Sequence, residues 1–410
     1  MSAYDVKWFK HDMPGAPVLT GEPGMLIGLL DACLLNGWGL VSVDSLTFDS
    51  NTDEATLTIT GGHGFIVDQV ILISGANEAE YNGEQRVTWI DSTTVKFNPV
   101  DIPQVATASG SITAKVAPQG SWGKPFSSGD NLKAVYQSVS PARMSTVAIR
   151  IDDSNTQTAD PDWDYNGAHS IAQAYEVVND LDSVTGLINT EPYRQVIRKS
   201  SDTSPTFIAN PVKWTVIADD RLVYLFINHY SRVVDNFYNP YCFGEFVSYK
   251  AADEFAWMFS TVRQTSQSYQ GISDFCVLGN NNDSNRSFYF QRSYNGVAGS
   301  VKGTPVGLFL DQPYMGKQSS VFPFAADNGL HYADRVHLAE GVSSSTQMRG
   351  ELPGIGYPLH TVPLLSESIE TLNWKGKNSK VIALTCCRVS NVNSNDIAQV
   401  LVDIEGPWRA

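Results

Sequence analysis

The chain has 410 residues, 42% of them apolar and only 17% charged, with a formal net charge of −15. That balance describes an ordered globular protein and excludes a disordered one. The acidic excess argues against a nucleic-acid partner, which needs a basic face to displace counterions from phosphate.

At this length two or three domains are the starting expectation. The N-terminal stretch MSAYDVKWFKHDMPG lacks the apolar core of a signal peptide. No run approaches the roughly 18 apolar residues needed to cross a bilayer, so membrane insertion is not expected. The five cysteines, Cys33, Cys242, Cys276, Cys386 and Cys387, are odd in number and scattered, which is no disulfide framework. FCVL and ALTCCRV set most of them among apolar neighbours, as buried small hydrophobes of a protein made in a reducing cytoplasm.

In chain order, the first element is a helix in PGMLIGLLDACLLNGWG (23–39), with proline near its start and Gly37 past its end. Met25, Leu26, Leu29, Leu30, Cys33 and Leu34 recur at helical spacing and leave Asp31 and Asn36 on a narrow polar side. So apolar a helix must be buried, against its own chain or against a neighbouring subunit. From residue 41 the period changes to two. ATLTIT (55–60), QVILIS (69–74), EQRVTWI (84–90), TVKF (94–97) and SITAKV (111–116) read as strands of a small antiparallel barrel or sandwich. Asn82-Gly83 reads as a primed hairpin turn. His63, between glycines in GGHG, has no phosphate-loop Lys-Ser/Thr behind it and no metal-ligand partner nearby. It reads as a turn residue bonded to backbone.

APQGSWGKPFSSGDN (117–131) marks a domain boundary by its Gly, Pro and Ser content. The domains expected are thus a 1–40 segment with the apolar helix, a 41–117 β-module, and a larger β-sandwich-like body over 118–410. In that body STVAIRI, WTVIA, RLVYLFIN, FGEFVSY, SFYFQRS, KVIALTCCRV and AQVLVDI are strand-like, and AHSIAQAYEVV (168–178) is assigned to strand over helix. The fold class is mainly β and multi-domain. No fixed-period repeat or sustained heptad appears.

Several stretches together resemble virion structural, tail-associated proteins of tailed bacteriophages. They are KWFKHDMPGAPVLTGEPGMLIGLLDACLLNGWG near the start and HGF to YNGEQRVT in the module. WTVIADDRLVYLFIN, FGEFVSYKAADEF, RGELPGIGYPLH (349–360) and the terminal DIEGPWR follow in one order along the chain. The resemblance implies a component of the particle, in the tail or its attachment to the head, and it supplies no catalytic residues.

Site signals are sparse. In DWDYNG, Asp162, Asp164 and Asn166 alternate and Gly167 follows, as in the first half of a calcium loop. The twelfth position is Gln173, where a bidentate Glu should stand, so a solvated acidic turn is the better reading. No cofactor is expected, calcium at this loop being the rival to test. G-x-S-x-G, H-E-x-x-H and paired C-x-x-C are absent. His331 and His337 in HYADRVH would share one side of a strand, or fall on roughly opposite sides of a helix, and read as surface or packed histidines before a facing pair. Asp253, Glu254 and Asp274, near Trp257 and Phe259, are the carboxylates that glycan cleavage would draw on. RGELPGIGYPLH reads as a rigid, extended docking segment, because its prolines leave little entropy to lose on binding.

The function expected is therefore a non-enzymatic structural subunit of the virion, in the tail or baseplate/tail tip. It would assemble as a symmetric homo-oligomer, with copies of itself and other tail or head–tail connector proteins as partners. On this reading the helix and the GPWR strip lie on the subunit contact and the module projects outward. The alternatives are a receptor- or glycan-binding tail protein that reads host surface glycan through loops such as 279–286, a head-decoration or neck protein, and a depolymerase.

Overall fold

A computed structural model describes residues 4–154, 168–189, 195–200, 208–228, 238–263, 286–306, 326–327, 329–341, 347–360, 364–388 and 397–409. The molecule is mainly β, with the short α-helix Met25–Asp31 near its start, and its described strands form antiparallel sheets of 16, seven and five strands. The stretch 168–178 is indeed a strand, His169–Val178.

The centre of the body is the strand Leu222–Asn228, buried at all 7 positions. Lys213–Ala218 and Asn239–Glu245 flank it in antiparallel register. Val223, Leu225 and Ile227 enter one core, together with Tyr136, Ile149 and Ile151 from the strands Lys133–Ser138 and Ala148–Asp152. Leu222, Tyr224 and Phe226 enter a second core, with Ile382, Leu384, Val400 and Val402 of the C-terminal five-stranded sheet. A strand alternates its side chains between two faces, so an unbroken apolar run such as LVYLFIN marks a strand covered on both. The body accordingly stacks three layers rather than the two of a simple sandwich. The strand Trp257–Arg263 links them. It pairs through residues 257–260 with Asn239–Glu245 and through 262–263 with Gln195–Arg198, so that one sheet feeds two layers.

The seven-stranded sheet is built from residues 38–116. Its strands Glu54–Thr58, Val70–Ala76, Gly83–Ile90, Thr94–Phe97 and Gly110–Val116 fall on the five expected runs. Two further strands, Trp38–Ser42 and Ser45–Asp49, complete it. The edge strand Ser45–Asp49 meets the segment leading into Gly110–Val116 through Phe48 N to Ala106 O (2.8 Å) and Ala108 N to Leu46 O (2.9 Å), which curls the sheet toward a barrel. Asn82-Gly83 is not a primed turn. Asn82 has φ −82°, and its amide pairs with both backbone groups of Ala76 (3.0 and 2.8 Å), closing a longer loop over the 3-10 turn Ala79–Tyr81.

The helix runs Met25–Asp31 and continues as a π-turn, Ala32–Asn36. Leu26, Ile27, Leu29, Leu30, Cys33 and Leu34 are all fully buried in the chain's own core. Asp153 clamps the helix start by accepting from Leu26 N (2.8 Å), and it is held in turn by Ser170 and Lys199. Asp31 on the polar side is claimed by Tyr136 Oη (2.8 Å) and Lys124 Nζ (2.6 Å). Gly37 ends the element at φ 66°, where a Cβ would stand 2.0 Å from Val116 O. Only glycine fits so close an approach in the left-handed region. The expectation that this helix faces a neighbouring subunit is therefore corrected: its apolar surface is already spent inside one chain. The same holds for GPWR, where Trp408 is 4% exposed and its ring lies 5.3 Å from Tyr224. RGELPGIGYPLH is likewise no docking strip. It forms the strands Gln347–Leu352 and Ile355–Pro358, and residues 349–358 are buried.

Candidate functional site

Where the middle layer, the 353–354 turn and the C-terminal sheet converge, the surface opens into a cleft of about 700 Å³. Its wall draws on residues from 144 to 409, so none of it is local in sequence. Gly354 shapes the turn at φ 73°. A Cβ there would stand 2.2 Å from the Trp408 indole, so the glycine is what lets the C-terminal strip seat against the turn.

Four carboxylates line the cleft, Glu245, Asp253, Glu351 and Asp403, all between 1% and 7% exposed. Each is engaged by protein donors. Glu245 accepts from Met144 N (2.6 Å) and Ser145 N (2.7 Å), and Arg221 Nη1 stands 3.7 Å away. Burial pushes the Glu245 carboxyl above the usual range despite those donors. Asp253 accepts from Ser248 Oγ (2.7 Å), Phe255 N (3.2 Å) and the buried Arg349. Burial alone would raise its pKa, but the hydrogen bonds from Ser248 and Arg349 carry it below the usual range. Asp403 accepts from Ser379 Oγ (2.6 Å) and two backbone N–H groups. Glu351 is paired with Lys375 Nζ at 3.0 Å and Arg335 Nη1 at 3.5 Å.

Six cations line the same cleft, Arg221, Lys250, Arg335, Lys375, Lys377 and Arg409. Arg409 is tied inward to Asp219 and Arg221 to Asp220 (3.3 Å). Lys250 instead donates to the Tyr294 carbonyl (3.0 Å) and Lys377 to the Gly406 carbonyl. The Arg335 side chain is 55% exposed. The charge a solute meets in this cleft is thus mostly positive, with the negative groups engaged by their own donors.

The residues singled out from sequence fare differently. Asp253 lines the cleft but is locked to Arg349, and Glu254 is exposed beside it. A locked carboxylate with a depressed pKa makes a poor general acid. Asp274, the 279–285 part of the polar loop and the calcium-loop residues Asp162, Asp164 and Asn166 lie outside the described residues. His63 is the turn residue expected: its Nδ1 accepts from Phe65 N (3.2 Å), so Nε2 carries the proton toward Thr94 O (3.3 Å). His331 and His337 do not face each other. His331 meets Asp327 (2.9 Å) and His360, while His337 Nδ1 meets the Tyr249 hydroxyl. Cys33 and Cys242 are buried, and burial pushes both thiols upward, away from nucleophilic use. The thiol of Cys386 is buried as well.

One metal-like grouping was not singled out from sequence: ligand atoms of His11, Asp12 and Glu367 lie within 4.8 Å of one another. The Lys10 ammonium already stands 2.9 Å from Asp12 and 2.8 Å from Glu367, supplying the charge a cation would bring. Among the described residues, no helix is long and apolar enough to cross a membrane.

No protein-family model and no curated protein matches the chain. Among solved structures it is similar to the phage phi92 endosialidase, at 12% identity and a TM-score of 0.16, over 90% of this chain and 52% of that one. The chain thus spans about half the length of that structure, and at this TM-score no residue or role is carried across.

Proposed function

We propose that the chain is a structural subunit of a tailed-bacteriophage particle, in the tail or baseplate/tail tip, and that it acts by assembly, without catalysis, as a symmetric homo-oligomer. The observation that carries this reading is the convergence of the stretches behind the sequence resemblance. KWFK is the strand Lys7–Lys10, paired with Lys213–Ala218 of WTVIADDRLVYLFIN. FGEF joins the same layer through Leu222–Gly244. Arg86 of YNGEQRVT donates to Val6 O and Ile404 O (both 3.3 Å), and Tyr224 Oη donates to Pro353 O (2.8 Å) in RGELPGIGYPLH. Trp408 of DIEGPWR then packs on Tyr224. Residues hundreds of positions apart thus form one joint between module, middle layer and C-terminal sheet. A resemblance concentrated on a joint is a resemblance in architecture, as expected of an assembly part.

Mass spectrometry of density-purified particles, together with an antibody to residues 41–117 on intact virions, tests this. The subunit is expected among the particle proteins, with label at one tail position. A chain missing from purified particles, and monomeric in solution at high concentration, overturns it. A second reading, a glycan-binding tail protein, is favoured by the cleft, whose ten charged side chains, mixed apolar lining and 700 Å³ volume suit a small charged ligand.

A further inference from the structure

We propose that the cleft takes the carboxylate-bearing unit of an acidic saccharide. This rests on the glycan-binding reading and adds to it the site and the charge of the ligand. Three cations face it with donors to spare. Among the described residues, Arg335 is held only by a 3.5 Å contact to Glu351 Oε2, while Lys375 takes Oε1, and the Arg335 side chain is more than half exposed. A planar fork so loosely tied is free to grip a ligand carboxylate through two N–H groups. Lys250 and Lys377 each spend a donor on a carbonyl, and an ammonium carries three.

The rest of the wall narrows the class of anion. Four carboxylates share the wall with these cations, so a phosphate dianion would meet more repulsion than a single carboxylate would. The aromatic lining, Phe246, Trp374 and Trp408, is at most 4% exposed, whereas Met144 on the same wall is 47% exposed and offers a ligand apolar surface. A sugar ring brings C–H faces for that surface and hydroxyls that both donate and accept, which suits a wall offering both kinds of group. The Trp374 ring also lines the cleft, and its buried indole N–H has no hydrogen-bond partner among the described residues. A buried donor without a partner costs stability unless a ligand or water satisfies it.

The test is calorimetry on the full chain with glucuronate-containing oligosaccharides and the same oligosaccharides after carboxyl reduction. The acidic form is expected to bind about tenfold tighter or more, as a charge-assisted hydrogen bond implies. That difference should vanish in Arg335→Ala combined with Lys377→Ala. Both side chains are exposed, so the variant should keep its fold, which circular dichroism checks. Equal binding of the acidic and reduced forms overturns the inference while leaving the glycan reading standing. Acidic binding unchanged in the double variant removes the cleft as its site. Polyglutamate binding as tightly as the saccharide transfers the cleft to acidic peptides, and an absence of binding on a mixed neutral and acidic glycan array sinks both readings together.

Discussion

The module at 38–116 and the middle layer at 213–245 are both antiparallel β, yet they solve burial in opposite ways. In the module, Ser45–Asp49 alternates exposed and buried at every step, and Glu54–Thr58 and Thr94–Phe97 alternate half-buried and buried. In the layer, Leu222–Asn228 and Asn239–Glu245 are buried throughout. One sheet turns a single face into the first core and shows its back to water, while the other is the filling between two cores. Strand pairing is the same in kind, so what distinguishes the regions is the number of covered faces.

The sharpest way to break that contrast is to truncate two adjacent residues of the layer. Tyr224 and Leu225 point into different cores, so each should be costly by itself. Tyr224→Ala should lose about 3–5 kcal/mol, including its bond to Pro353 O, and Leu225→Ala about 2–5 kcal/mol. Urea unfolding of both variants is the measurement. A near-neutral result for either one would mean that its face is open and that the middle layer is not covered twice.

Ion pairs repeat the contrast at comparable and then smaller cost. Asp153 and Lys199 in the body are wholly buried, whereas Glu54 and Lys96 on the module are about a third exposed. Asp153→Ala strands a buried ammonium and frees the helix N-terminus, at about 3–5 kcal/mol. Adding Lys199→Met should recover much of that loss, because the stranded charge causes most of it. Glu54→Ala on the module should cost less than about 1 kcal/mol and shrink further in salt. An equal cost for the two alanine variants would contradict the burial difference on which the comparison stands.

A proton-linked effect near neutral pH belongs to the joint. Burial holds the His11 imidazole below its ordinary value, with Lys10 and Lys213 adding to this and Glu367 and Asp12 opposing it. The unfolded chain therefore takes up the proton first as pH falls. Stability is full above about 6.5, the unfolded value, and declines as pH drops through the lower folded value. In His11→Asn the stability curve between pH 7 and 5 should be flatter, read by thermal unfolding across that range. A slope unchanged by the substitution would assign the acid sensitivity to carboxylates instead.

The contrast also sets how far the sequence could be read. Alternation is a local signal, and it placed the module strands at 54–58, 70–76, 83–90, 94–97 and 110–116 within a few residues. The strands at 38–42 and 45–49 escaped, because Gly39 and the polar VDS interrupt the pattern. LVYLFIN was legible as a strand, but a run apolar at every position does not say what covers each face, and so the third layer could not be read from it. The helix was legible from spacing, and its partner was not, since inward and intersubunit burial leave the same stripe. RGELPGIGYPLH misled for a similar reason: proline and glycine mark a turn whether it is exposed or packed under Trp408. The cleft was illegible in principle. Of its charged residues only Asp253 was singled out, for a role its Arg349 partner forecloses, because the site exists only once three sheets meet.

The smallest expected effect probes the open face of the module. Leu46 is fully buried and Thr47, next to it, is exposed, with Thr56 opposite in register. Leu46→Ala should cost about 2–5 kcal/mol, and Thr47→Ala should stay within about 0.5 kcal/mol, because it gives up only a cross-strand contact in water. The pair is most informative when measured over a range of protein concentrations. A small cost at every concentration leaves this back of the sheet facing solvent, as the alternation implies. A Thr47 cost that grows with concentration would mean the face is covered by another copy, and it would put the subunit contact on the region expected to project away from it. The helix and the C-terminal strip are already consumed within the chain, so whichever way Thr47 answers constrains where an oligomer can form.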